Sequence, residues 1–420
     1  MSNQTRREFL KTTGAASLGM AAGTLAIPRL SRASSEPIII GNLQDLTGAI
    51  SSWGYWMNKA TVAAVERVNK NGGIAGRPVK LVTEDVEGNP TVGARKMRRL
   101  ILREKADFLV GPLHSGVGVA CAPVAQELKT PILLWSMTEE LTGRLANRYV
   151  FRTTSHVTIQ AEAGTKWALE NIGKKWSFAF ADYSWGWSHF KETSKRVEAG
   201  GGKVLSKVAV PIGTKDYLPY LTQIDPATEV LYGVFIGADE VAYFTQANTM
   251  GLHKKMKMYS VVCTIEAVDT RDLGEAIEGA WFQEYLPRRL KYHDTPENRH
   301  LRKVCDVDAE GKEIGGPRTV AGSHYYGCWE AIYWIRNAVE KSGWKSKKDT
   351  RDFIVALEGM SVKESQEFPQ GDKFMRAEDH QVFADQRMSR VENFVLEVKF
   401  HIPKEKFLYE PPVNLTKESF

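Results

Sequence analysis

Two similar α/β lobes are expected, each a parallel sheet with helices on both faces, joined by a hinge of several crossovers. Three observations predict this. Short apolar runs alternate with amphipathic stretches as far as Val262. The rhythm restarts after Arg152-Thr153-Thr154. The 420 residues also exceed one ordinary domain and suit two. Alternating strands and helices imply parallel sheets covered on both sides.

The elements follow in order. Pro37-Ile38-Ile39-Ile40-Gly41 is a short apolar run of buried-strand type. Tyr55 to Asn71 is helical, with Ala60, Ala64, Val65 and Val68 on one face, and Gly72-Gly73 stop it. Strands follow at Val79–Val82, Asp107–Gly111 and Pro131–Trp135, with helices at Pro90–Glu104 and Val119–Leu128 between them. The second run places strands at Trp176–Ala181, Lys203–Val210, Glu229–Phe235 and Met258–Val262. Its helices fall at Phe190–Ala199, Tyr217–Ile224 and Ala242–Met250. No internal sequence repeat or low-complexity tract stands out.

The first residues read as an export signal, residues 1–33. Arg6-Arg7 stand before a weakly apolar stretch from Gly14 to Ile27, and Ser31-Arg32-Ala33 is a small-x-small cleavage site. The arginine pair points to the twin-arginine route, hence the periplasm. The apolar stretch falls short of the roughly 20 residues of a spanning helix, so the mature chain is expected to be soluble. With 43% hydrophobic and 25% charged residues the composition is ordinary for a globular protein. The formal charge of +6 shrinks further when Arg6, Arg7, Lys11, Arg29 and Arg32 leave with Glu8, which is no footprint for nucleic acid. Cys121, Cys263, Cys305 and Cys328 fit no metal-ligand spacing. Cys305 and Cys328 are the pair closest in sequence for a disulfide, with buried free thiols as the alternative.

An open parallel sheet binds ligands beyond the carboxyl ends of its strands. The informative residues therefore stand just after each strand. In the first run these include Asp45 to Gly48 with Trp53, then His114 and Ser115, then Trp135, Ser136, Met137 and Thr138. In the second they are Asp182 to Gly186 with Trp185, then Ile236 to Asp239, then Cys263 and Thr264. A helix starting at Ser115 would offer free N–H groups and positive partial charge to a carboxylate. Trp53, Trp135 and Trp185 are candidate walls for a planar or apolar group. A serine before a helix is also an ordinary cap, and a lone tryptophan is also ordinary core.

Several segments resemble the Leu/Ile/Val-binding proteins of branched-chain amino acid ABC transporters. Asn69-Lys70-Asn71-Gly72-Gly73-Ile74-Ala75-Gly76 is similar to that family's N-x-x-GGI-x-G element. Gly111-Pro112-Leu113-His114-Ser115 resembles its first ligand loop, Phe151-Arg152-Thr153-Thr154 its crossover, and Asp182-x-x-Trp185-Gly186 its D-x-x-Y-G element. The resemblance covers residues 37–280 well and the remainder loosely. It implies a type I periplasmic binding fold, a ligand held between closing lobes and an inner-membrane ABC permease as partner. It gives Ser115 the ligand carboxylate, the turn Trp135–Thr138 a second hold on it, and Trp185 the place of an aromatic lid. The second lid tyrosine would fall near Ile236. The family's acid for a ligand ammonium would fall near Val262 or Cys263, with Glu266 and Asp239 the nearest acids.

The reading is a substrate-binding protein without enzymatic activity, cofactor or metal, monomeric, and without a nucleic-acid partner. Its ligand is a small carboxylate-bearing molecule: an amino acid, an aromatic acid or an amide-like acid. The departures near Ile236 and Cys263 favour an apolar, aromatic or amide-like far end over a free branched-chain amino acid. Lobe one is expected over 36–152 plus about 281–346, lobe two over 153–280 plus about 347–400, and 401–420 as a tail. A ligand sensor feeding a membrane signalling receptor is the alternative. A nucleotide-binding enzyme is weaker: Gly116-Val117-Gly118 lacks the third glycine, where Cys121 stands. The run Arg376–Gln381 belongs either at a crossover or in a surface loop.

Overall fold

Residues 38–152 form five parallel strands. They are β1 (Ile38–Gln44), β2 (Val79–Asp85), β3 (Phe108–Val110), β4 (Ile132–Leu134) and β5 (Val150–Arg152), in the order β2-β1-β3-β4-β5. The next four are β6 (Lys175–Ala181), β7 (Lys203–Val210), β8 (Val230–Val234) and β9 (Lys257–Val261). With later strands they build a seven-stranded sheet. The computed structural model describes residues 36–261 and 265–420. The expected export segment and Cys263 lie outside the described residues. Among the described residues no helix is long and apolar enough to cross a membrane.

The chain after residue 280 departs from the expected division. Strand β10 (Trp281–Glu284) pairs parallel with β9, so it completes the second sheet rather than returning to the first. Short β11 (Ser361–Val362), β12 (Lys373–Met375) and β13 (Val382–Phe383) form a small antiparallel sheet. Met360, Val362, Phe368 and Met375 pack into the first core, not the second. The physical reason is the helix Gly322–Ser342, which packs along the helix Ser51–Lys70 and carries Tyr325, Trp329 and Ile332 fully buried. Apolar on almost every side, it needs cover all round, and residues 350–382 supply part of it. Strands β14 (Gln386–Glu392) and β15 (Val395–Ile402) then join the second sheet antiparallel beyond β10, giving the order β15-β14-β10-β9-β8-β6-β7. The expected tail thus begins inside β15.

Two hydrophobic cores result. The first gathers Ile40, Trp56, Phe108, Leu133, Phe151 and Trp329; the second gathers Phe178, Tyr232, Val261, Phe282 and Met388. Cys121, Cys305 and Cys328 are buried free thiols. Burial pushes the Cys121 and Cys305 thiols up to about 12, so both stay protonated and inert.

The chain passes from core to core after β5, after β10 and before β14. The first and third passages lie side by side. Arg152 N–H donates to the His380 carbonyl at 2.9 Å, and Gln381 Nε2 donates to the Thr154 carbonyl at 2.7 Å. The Phe151 and His380 rings stack with centroids 4.0 Å apart. Of the two placements expected for Arg376–Gln381, the crossover is the one observed. Asp379, His380 and Gln381 are fully buried there.

Candidate functional site

Helix starts at strand ends set the geometry. In the first sheet β1 leads into the helix Ser51–Lys70, and in the second β6 leads into the helix Ser184–Ala199. Each carries Trp-Gly in its first turn: Trp53-Gly54 and Trp185-Gly186. A Cβ on Gly54 would stand 2.0 Å from the Asp45 carbonyl oxygen, and one on Gly186 would stand 2.0 Å from that of Ala181. Only glycine lets the helix start sit this close to the preceding strand. The adjoining indoles are thereby brought to the space between the sheets.

Both tryptophans line a small, mainly apolar cavity. The first sheet contributes Ile50 and Trp53 after β1, Leu113, His114 and Ser115 after β3, and Met137 after β4. The second contributes Tyr183 and Trp185 after β6 and Ile236 after β8. His324, from the first turn of the helix Gly322–Ser342, completes it. The cavity thus lies beyond the carboxyl ends of strands from both sheets, where such folds bind ligands.

The loop after β3 is fixed from behind. Asp45 Oδ2 accepts from Leu113 N–H at 3.3 Å and His114 N–H at 3.2 Å. Burial raises the Asp45 pKa to about 6, against the pull of those amides. His114 caps the helix Ser115–Glu127, its Nδ1 accepting from Val117 N–H at 3.4 Å. Burial lowers the His114 pKa to about 4, so its ring is neutral near pH 7. Ser115 Oγ accepts from Met137 N–H at 3.3 Å, which leaves its own proton for a ligand. The first N–H groups of that helix have no intrahelical acceptor, so Ser115 stands where an anion is best received. The indole nitrogens of Trp53 and Trp185 are buried, at 1% and 3% residue exposure, without a hydrogen-bond partner.

Of the residues singled out in the sequence, Trp53, His114, Ser115, Met137, Trp185 and Ile236 meet at the cavity. The others among the described residues stand elsewhere. Trp135 is fully buried in the first core and lies against Gly327. Ser136 Oγ donates to the Pro112 carbonyl at 2.9 Å, bracing the loop after β3 from the side. Thr138 Oγ shares a 2.8 Å hydrogen bond with Ser188 Oγ on the helix Ser184–Ala199, a polar link between the lobes. Asp239 Oδ2 accepts from Gly213 N–H at 2.9 Å. Glu266 lies behind the wall, where it accepts from Ser323 N–H at 2.7 Å and pairs with His324 Nδ1. Burial acts to raise the Glu266 carboxyl, yet His324 and Ser323 hold it below the ordinary carboxylate range.

Sequence reasoning did not select Ile50, Leu113, Tyr183 or His324. Leu113 and Tyr183 stand within the strand-end windows and were open to selection. His324 had no such signal, because it comes from a helix in the region whose course the sequence left open. The matched Trp-Gly pairs were visible, but two residues are too short to register as a repeat.

Known proteins agree with this architecture. A Leu/Ile/Val-binding protein, BraC3, of Rhizobium johnstonii is 32% identical over 193 residues, 44% of this chain and 51% of that protein. The match thus spans about half that relative's length. Leu/Ile/Val-binding protein homolog 4 of Brucella melitensis is 23% identical over 86% of each chain. Among solved structures, an ABC transporter solute-binding protein from R. palustris in complex with benzoate superposes with a TM-score of 0.75. It shares 19% identity, with 87% of this chain and 97% of that one covered. The family model for periplasmic binding proteins matches residues 37–394. With two sheet-based lobes enclosing a cavity at their strand ends, the chain belongs to the periplasmic binding protein family.

Proposed function

We propose that this protein is the substrate-binding component of an ABC importer and captures a small carboxylate-bearing organic molecule between its lobes. The observation that carries the reading is the cavity itself. It is lined by residues of both sheets, and at its polar end Ser115 opens a helix. Among the first-turn N–H groups, His114 caps that of Val117 and accepts from Gly118, while those of Ser115 and Gly116 have no intrahelical acceptor. The apolar walls of Trp53, Trp185, Ile50 and Ile236 favour an aliphatic or aromatic body through area burial and stacking. The benzoate held by the R. palustris neighbour is one molecule of this kind.

In this reading the ligand touches both lobes and stabilises the closed state by contacts the open state lacks. The closing bodies are the segments around the two cores: 36–152 with 286–382, and 153–285 with 386–402. The closed monomer is presented to an inner-membrane permease. Export to the periplasm is supported by Arg6-Arg7, the apolar stretch behind them and the site at Ala33.

Titration calorimetry on the purified protein tests the reading. Benzoate, 4-hydroxybenzoate and aliphatic monocarboxylates are the probes. One or more should saturate at one per chain and be recovered chemically unchanged. Turnover that disappears with a single cavity substitution would replace this reading with an enzymatic one.

A further inference from the structure

The polar groups at the cavity are unbalanced. Those with a proton to give include the Ser115 hydroxyl, the Nε2–H of His114, whose Nδ1 accepts from Val117, and the indole N–H groups of Trp53 and Trp185, both indoles buried without partner. None of the side chains lining the cavity is a carboxylate. Glu266, behind the lining residue His324, is fully engaged. One oxygen accepts from Ser323 N–H at 2.7 Å and the other is held by His324 Nδ1. The opposite ring nitrogen of His324 meets the Tyr285 hydroxyl at 3.1 Å. Both nitrogens being occupied, His324 is locked in place as a shutter between Glu266 and the cavity.

Other acids do not fill the gap. Asp45 Oδ2 is turned to the Leu113 and His114 amides and Asp239 Oδ2 to Gly213, and neither residue lines the cavity. Val262, Cys263 and Thr264, outside the described residues, carry no carboxylate by sequence. An ammonium carried into this space would be buried without a counter-charge, which is costly.

We infer that His324, by sequestering Glu266, restricts the cavity to carboxylates without an α-ammonium group, so that free amino acids are excluded. The inference rests on the carboxylate-binding reading above and narrows it. His324 acts as a specificity-determining residue through the acid it occupies.

Matched acids that differ only at the α-carbon test this. 4-Methylpentanoate is leucine without its ammonium, and 3-phenylpropanoate is phenylalanine without its ammonium. Benzoate is the smaller control. Calorimetry on the wild-type chain should show at least one des-amino acid binding at least about tenfold tighter than its amino acid. His324→Asn uncovers Glu266 and should narrow that ratio by about tenfold. Glu266→Gln with His324 intact should leave the ratio where it was, and this isosteric change keeps the test open if His324→Asn does not fold. An amino acid binding as tightly as its des-amino partner overturns the inference while the carboxylate reading stands. So does a Glu266→Gln variant that loses amino acid binding. Binding of none of these acids overturns the carboxylate reading, and the inference with it.

Discussion

The rings of His114 and Tyr183 stack with centroids 5.3 Å apart and planes inclined by 24°. His114 belongs to the loop after β3 and Tyr183 to the loop after β6, so the stack joins the two lobes over the cavity. Because burial keeps the imidazole neutral near pH 7, the contact is an aromatic one, worth about 0.5–1.5 kcal/mol. Tyr183→Ala should speed dissociation of a bound acid by about two- to tenfold. Stopped-flow displacement measures it. A change confined to the association rate would remove the stack from the closing step.

Ser115 carries the polar end of the site. In the proposed reading its hydroxyl, held in place by Met137 N–H, gives its proton to the ligand carboxylate. A hydrogen bond to a charged group contributes about 1.5–3 kcal/mol. Ser115→Ala should therefore weaken binding by about ten- to hundredfold with an unaltered melting temperature. An affinity change below about threefold in calorimetry would show that the carboxylate is held elsewhere.

Asp45 makes stability depend on pH. Its folded pKa of about 6 lies above the ordinary aspartate value of 3.8, so the folded chain binds more protons than the unfolded one between these values. Its favourable contribution is complete below about pH 4 and lost as pH rises through 6. Wild type should lose about 3 kcal/mol relative to Asp45→Asn between pH 4 and pH 7. Parallel urea titrations at several pH values read this difference. A flat difference would mean that Asp45 is ionised throughout.

Lys373 and Glu330 form an ion pair with no exposed side-chain surface, and Gln370 Oε1 accepts from Lys373 Nζ at 2.9 Å. The pair ties β12 to the helix Gly322–Ser342. Lys373→Met strands a buried carboxylate and should cost about 3–5 kcal/mol. Replacing both partners, Lys373→Met with Glu330→Leu, should recover most of it. Equal losses in the single and double variants would count against the pairing.

Export is checked separately. With Arg6 and Arg7 both replaced by lysine, the precursor should stay in the cytoplasm. Immunoblots of cell fractions measure this, and an undiminished periplasmic yield would exclude the twin-arginine route.

The strand and helix rhythm was legible as far as β9 because each element there is local: an apolar run, an amphipathic stretch, a glycine stop. The chain after β10 was not legible in that way. Its helix Gly322–Ser342 is buried on every side from Gly322 to Ile335, so periodicity does not say which lobe it serves. The small strands β11–β13 take their register from that helix rather than from any pattern of their own. The same holds at the site. Strand-end reasoning found Trp53, Ser115 and Trp185, because a parallel sheet fixes where its loops gather. It placed Glu266 and Asp239 as alternatives for one role, since sequence does not reveal that His324, 58 residues after Glu266, turns that carboxylate inward.

The paired passages at Arg152 and Gln381 have a mechanical consequence. Cross-linked by Arg152 N–H to His380 and by Gln381 to Thr154, they behave as a ribbon rather than as two independent strings. A ribbon flexes easily out of its plane, but sliding one edge along the other breaks the bonds between them. In the proposed closure, this pair of passages favours rotation about an axis lying across the ribbon over shear between the halves, so that the faces that meet at the cavity would come together in the same register.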